Sequence, residues 1–177
     1  MSFPWVGLAL LGARVLLTRR AGGDSSAREE TAPGLSAADD AGDVAIFREA
    51  LGVPYYWGAG RGEPYPAKGY DCSGYVDSAL RAAGYTLPWA ASAASTSAMY
   101  SALGAPRALS PGEEAPRGAI VAYGTKTPSH VMLSTGEGVI GASGGGSSTR
   151  GDDPNAAVKE FETAWYRGDL LGYWLLS

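Results

Sequence analysis

GYDCSGYV, residues 69–76, holds the only cysteine of this 177-residue chain. The chain changes character at that thiol. Before it runs a Gly- and Pro-rich loop, VPYYWGAGRGEPYPAKG, residues 53–69. After it, CSGYVDSALRAAGY sets Tyr75, Val76, Ala79, Leu80 and Ala83 at helical spacing, with Gly84 as the end signal, so Cys72 is predicted in the first turn of a helix. Unpaired backbone N–H groups and the positive end of the helix dipole favour an anion there, and the thiolate is the nucleophilic form of cysteine. The commonest fate of a free cysteine is that of a small buried hydrophobe. Polar flanks, Asp71 and Ser73, and the aromatic loop before them favour a nucleophile instead. Asp71 is also a suitable helix cap. The loop carries Tyr55, Tyr56, Trp57 and Tyr65, and aromatics held on a loop favour a ligand groove over a core.

A cysteine nucleophile needs a base, and the chain has one histidine, His130, in TPSHVMLSTGEGVIGAS, residues 127–143. Alternation of Val131 and Leu133 with Met132 and Ser134, a GEG turn, and a resumed apolar run predict a strand, a tight turn and a second strand. His130 opens the first of these, which is expected to face the helix carrying Cys72. A lone histidine is more often structural, but a Cys–His pair is the minimum for thiol catalysis.

The rest of the chain bounds the reading. Its length suits one domain with a core of its own. Fourteen basic and 18 acidic residues, a formal net charge of -4, give no general attraction to nucleic acid. One cysteine cannot form an internal disulfide, and one Cys with one His excludes the common zinc sites, so neither metal nor cofactor is expected. Residues 1–20 form an apolar amino-terminal segment: 3–17, FPWVGLALLGARVLL, is apolar apart from Arg14 and precedes Arg19 and Arg20. Fifteen residues fall short of the roughly 20 that span a bilayer, and the charge lies on the wrong side for a secretory signal. The segment is expected to dock on a carrier or to associate with a membrane. Residues 21–38 read as a flexible linker and 39–177 as the folded domain. Within it, DVAIFREALG, residues 43–52, predicts a first helix. AASAASTSAMYSALG, residues 90–104, predicts a small-residue packing helix. AWYRGDLLGYWLLS, residues 164–177, predicts a closing strand or two, with Trp165, Tyr166 and Trp174 in the core. SGGGSST, residues 143–149, lacks the Lys and the setting of a phosphate loop.

VPYYWGAG, GYDCSGYV, LPW, APRGAIVAYG and SHVMLSTGEGVIGAS, in this order and spacing, resemble the NlpC-type cysteine peptidases that cut bacterial cell-wall peptides. The resemblance covers residues 43 to about 145. A weaker one through GASGGGSSTR and YRGDLLGY is similar to the ending of members carried by phages and phage-like particles. It implies an α+β, papain-like fold with the nucleophile helix packed on a central antiparallel sheet. It further implies that Cys72 attacks an amide carbonyl, that His130 moves the proton, and that Tyr55 helps polarise the carbonyl together with the Cys72 N–H. Asp71 and Ser73 would hold the free amine of a peptidoglycan stem peptide, with Tyr56 and Trp57 lining the groove.

Two departures stand out. Where relatives carry a polar residue, usually His, that orients the base, this chain has Gly141 and Ala142, which leaves Ser143, a backbone carbonyl or a water for that role. Where relatives have Gly-Asp, it has Gly118-Ala119. The implied activity is that of an endopeptidase at the bond between D-Glu and the diamino acid, acting at the cell wall. The alternatives are an N-acetylmuramoyl-L-alanine amidase, a cysteine acyltransferase, or an inactive wall-binding module on the same fold. Export would come from a phage tail, a secretion apparatus or lysis.

Overall fold

Asp71 starts the helix that the apolar run predicts. Its carboxylate accepts the N–H of Gly74 at 2.6 Å, satisfying one of the donors a helix start leaves free. The computed structural model describes residues 37–144, 146–149, 151 and 153–176. Three helices, α1 (Ala37–Arg48), α2 (Cys72–Ala82) and α3 (Thr96–Leu103), accompany five strands. The strands are β1 (Ile120–Gly124), β2 (Pro128–Ser134), β3 (Val139–Ser143), β4 (Ala157–Phe161) and β5 (Leu170–Trp174). They form one antiparallel sheet in the order β4-β3-β2-β1-β5. The α+β class with a helix on an antiparallel sheet is the one the resemblance implies.

Period-two alternation divides the sheet. Ile120, Ala122, Val131, Leu133, Ile140 and Ala142 face α2 and its apolar residues Tyr75, Val76, Ala79 and Leu80. Val121, Tyr123, Met132 and Val139 face the other way, into a second cluster with Ala164 and Tyr173. Tyr75, the aromatic of the cysteine motif, is fully buried, and its hydroxyl caps α1 by donating to the Phe47 carbonyl at 2.9 Å. Gly74 has a different task. A Cβ there would run into the Ala59 carbonyl, so this glycine lets the aromatic loop lie directly on the helix start.

Several expectations need correction at their boundaries. α1 begins at Ala37, inside the segment read as linker, and ends at Arg48; the expected stop at Gly52 is a turn with φ +80°. Residues 90–104 are not one helix but a 3-10 turn, Ala91–Ala93, followed by α3, because the Ser95 hydroxyl accepts the Ala98 N–H and restarts the chain as a capped helix. The closing segment is a 3-10 turn, Ala164–Tyr166, and one strand, β5. Trp174 is buried, whereas Trp165 is exposed and Tyr166 reaches the site described below. The apolar stretch 3–17 and linker residues 21–36 lie outside the described residues. Among the described residues no helix is long and apolar enough to cross a membrane.

Candidate active site

Cys72 is the first residue of α2 and only 7% exposed. The amide groups of Val131, Ser73 and Cys72 itself surround the sulfur and favour its anion, yet burial outweighs them. With Asp71 adding its negative charge, the thiol is pushed up to about 11. The helix start therefore does not by itself make a thiolate here, contrary to the bare sequence expectation, because the charge would be taken out of water. The Val131 N–H belongs to the peptide bond that follows His130. Cys72 thus lies against the backbone next to His130 although 58 residues separate the two in sequence.

His130 is the third residue of β2 and 8% exposed. The strand faces α2 as expected, through Val131 and Leu133, while the imidazole packs against Tyr123 and Tyr166 and not into the α2 core. Burial, and then the Arg167 guanidinium, hold it down to about 4, with Asp169 opposing. Among the described residues no hydrogen bond joins the sulfur to the imidazole. Burial thus disfavours the charged form of both groups.

The aromatic loop is fastened on both sides. Residues 52–55 run along β4: Gly52 N–H donates to Val158, and Tyr55 N–H to Ala156 at 2.8 Å. Tyr56 N–H then donates to the Tyr70 carbonyl beside the cysteine motif. This brings Tyr55 within electrostatic reach of Cys72 and under the backbone of Gly144, where a Cβ would stand 2.6 Å from its ring. Tyr55 is buried, and its hydroxyl makes no hydrogen bond among the described residues. Tyr56, 43% exposed, has its ring against Gly69 and Gly151, and Trp57, 60% exposed, stands at the rim.

Asp71 and Ser73 are buried and engaged with each other. Oδ1 accepts the Gly74 N–H and the Ser73 hydroxyl at 3.0 Å; Oδ2 accepts the Gly58 N–H at 3.0 Å and Arg61 Nη2 at 2.6 Å. The carboxylate is the cap of α2 and the knot of the loop. Arg61, which sequence reasoning missed, neutralises it from the loop, and its Nε is buried without a partner. Ser143 lies on the same face of β3 as Gly141 but makes no hydrogen bond to the imidazole. Tyr166, also missed, does contact it, 36 residues away in sequence. Among the described residues no group of His, Cys, Asp and Glu is arranged to hold a metal ion.

The profile described as the NlpC/P60 family matches residues 52–171, two thirds of the chain. The chain belongs to the NlpC/P60 family. Solved NlpC/P60 structures share its fold. The peptidoglycan hydrolase RipB from Mycobacterium tuberculosis is 25% identical, with 78% of this chain and 66% of that one covered and a TM-score of 0.52. The P60 domain of an antigen from M. avium subspecies paratuberculosis is 20% identical, with 77% and 92% covered and a TM-score of 0.52. NlpC1 from Trichomonas vaginalis is 17% identical, with a TM-score of 0.54; 78% of this chain covers 44% of that one. A comparison with curated proteins finds no match. In this NlpC/P60 chain the matched span contains Cys72, His130, Tyr55 and Tyr166 together.

Proposed function

We propose that the chain is a peptidoglycan hydrolase acting as a cysteine endopeptidase at the bond between D-Glu and the diamino acid of the stem peptide. The observation that carries this reading is that the only cysteine lies against the backbone beside the only histidine, within electrostatic reach of Tyr55, whose hydroxyl has no partner among the described residues. Family membership and the likeness to RipB support the substrate class. Cys72 Sγ attacks the scissile carbonyl carbon while His130 takes the thiol proton. The oxyanion is met by the Cys72 N–H and the Tyr55 hydroxyl. Collapse of the tetrahedral species passes the proton from His130 to the leaving amine and leaves a thioester. Water, deprotonated by His130, then hydrolyses that thioester and frees the thiol. Burial disfavours both the thiolate and the imidazolium, so in this reading the proton moves with the attack and not before it. The Cys–His hydrogen bond forms when substrate displaces water from the site, as apo catalytic contacts commonly tighten on binding.

Asp71 and Ser73 hold a free stem-peptide amine in this reading, which requires the amine to compete with Arg61 for Oδ2. Tyr56 and Trp57 supply the exposed aromatic rim for the peptide, and residues 3–17 bring the domain to a carrier or membrane at the wall. The test is mass spectrometry of soluble products from purified peptidoglycan treated with wild type or Cys72→Ala. A dipeptide ending in D-Glu, seen with wild type alone, is the expected result. A newly freed L-Ala amine would replace the endopeptidase reading with the amidase one. No product from wild type would overturn the hydrolase.

A further inference from the structure

Gly141 and Ala142 stand where the resemblance leads one to expect the group that orients the base, and the space beside Gly141 is crowded by Met132. A Cβ at Gly141 would stand 3.0 Å from Met132 Cγ and 3.1 Å from its Cε. The imidazole nonetheless has a partner. The Tyr166 hydroxyl lies 3.3 Å from His130 Nε2 and donates to Met132 Sδ at 2.9 Å. We propose that Tyr166 is the positioning residue of His130, holding the ring as the Nε2–H tautomer so that Nδ1 keeps the lone pair that receives the thiol proton.

The proton count follows from the contacts. A tyrosine hydroxyl has one hydrogen, for which Met132 Sδ at 2.9 Å and His130 Nε2 at 3.3 Å compete; in the arrangement proposed the nearer sulfur takes it. The oxygen can then offer Nε2 only a lone pair, which is favourable only if Nε2 carries the hydrogen. A neutral imidazole has a single N–H, so Nδ1 is bare. Nδ1 makes no hydrogen bond among the described residues. When Nδ1 takes the thiol proton, Nε2–H keeps the same acceptor and the ring need not turn. Burial raises the Tyr166 hydroxyl to about 12, so it remains a neutral phenol throughout.

Tyr166 is held firmly enough for this role. Its ring stacks on Phe161 at 4.0 Å and 17°, and meets Tyr123 edge-on at 5.4 Å. The 3-10 turn that carries it is tied down from three sides. Tyr123 hydroxyl donates to the Ala164 carbonyl at 2.9 Å, Glu114 accepts the Ala164 N–H at 2.8 Å and the Thr163 hydroxyl, and Trp165 Nε1 donates to Glu113 at 2.8 Å. An orienter normally supplied by the neighbouring strand is thus supplied from across the sheet, with Met132 acting both as filler and as the acceptor that aims the hydroxyl.

This inference rests on the thiol-hydrolase reading of Cys72 and His130, but its test does not need a substrate. His130 is the only histidine, so nitrogen-15 NMR of the labelled full chain reports one imidazole. Wild type should show a hydrogen-bonded Nε2–H that exchanges slowly with water. In Tyr166→Phe, which keeps the ring stack, that proton should exchange rapidly. In Met132→Leu, which keeps the volume but frees the hydroxyl hydrogen, the ring should shift toward the Nδ1–H tautomer. On peptidoglycan both variants should lower kcat about tenfold or more with KM little changed. An Nδ1–H tautomer in wild type overturns the proposal, as does an unchanged imidazole spectrum in Met132→Leu, which decides the matter alone should Tyr166→Phe fail to fold. Absence of wall cleavage by wild type would end the hydrolase reading and leave the tautomer result standing.

Discussion

Met132 stands over Gly141: its Cγ and Cε lie 3.0 and 3.1 Å from where a Cβ at Gly141 would be. Gly141→His, which adds the residue type the resemblance leads one to expect at 141 or 142, should therefore destabilise the domain by about 1–3 kcal/mol through overpacking. Combining it with Met132→Gly should cost less than the sum of the two single changes. A double-mutant cycle by denaturant titration measures the coupling; additive costs would mean that the two positions do not compete for space.

Cys72 should alkylate slowly near neutrality. A thiol at about 11 is ionised to roughly one part in ten thousand at pH 7, and only the thiolate reacts with iodoacetamide. The rate in the free enzyme should rise about tenfold per pH unit from 7 to 10, as the thiolate fraction does. A rate already on its plateau at pH 7 would show that the helix start outweighs burial.

The acid side of the stability curve belongs to His130. Its value falls from 6.5 in the unfolded chain to about 4 in the fold, so the unfolded chain binds the extra proton between these limits. Stability is fully present above about pH 6.5 and is lost as pH falls toward 4, by about 3 kcal/mol in all. Urea titrations at pH 7.5 and 4.5 should show His130→Gln losing less stability over that interval than wild type does.

Gly74→Ala should be among the most damaging single changes available. The added methyl meets a backbone carbonyl, that of Ala59, which cannot swing aside as a flexible side chain would. A loss of about 3 kcal/mol, or failure to fold, is expected, and thermal unfolding reads it.

Asp71→Ala removes the cap of α2 and leaves Arg61 and the Gly58 N–H without their acceptor. About 2 kcal/mol should be lost, more than a surface cap contributes, because the carboxylate is buried. Asp71→Asn, which can still accept the Gly74 N–H, should lose less. Equal losses in the two variants would mean that the charge, not the cap, is what matters.

Much was legible along the chain because local rules decide it. The spacing behind Cys72 specified α2 and its end near Gly84, alternation around His130 specified β2, and the motif residues carried the family. What could not be read were relations between distant segments. Nothing in the letters YRGD says that Tyr166 returns to His130, or that Arg61 from the loop pairs with Asp71, since each contact is made only when the loop and the sheet have closed. Nor does a helix start reveal how deeply its first residue is buried. The sequence by itself determined the elements and the scarce reactive groups, through short-range periodicity and side-chain chemistry. Only the tertiary structure decided the protonation of those groups and the partner of the base, because desolvation and hydrogen-bond geometry are properties of packed neighbours and not of sequence neighbours.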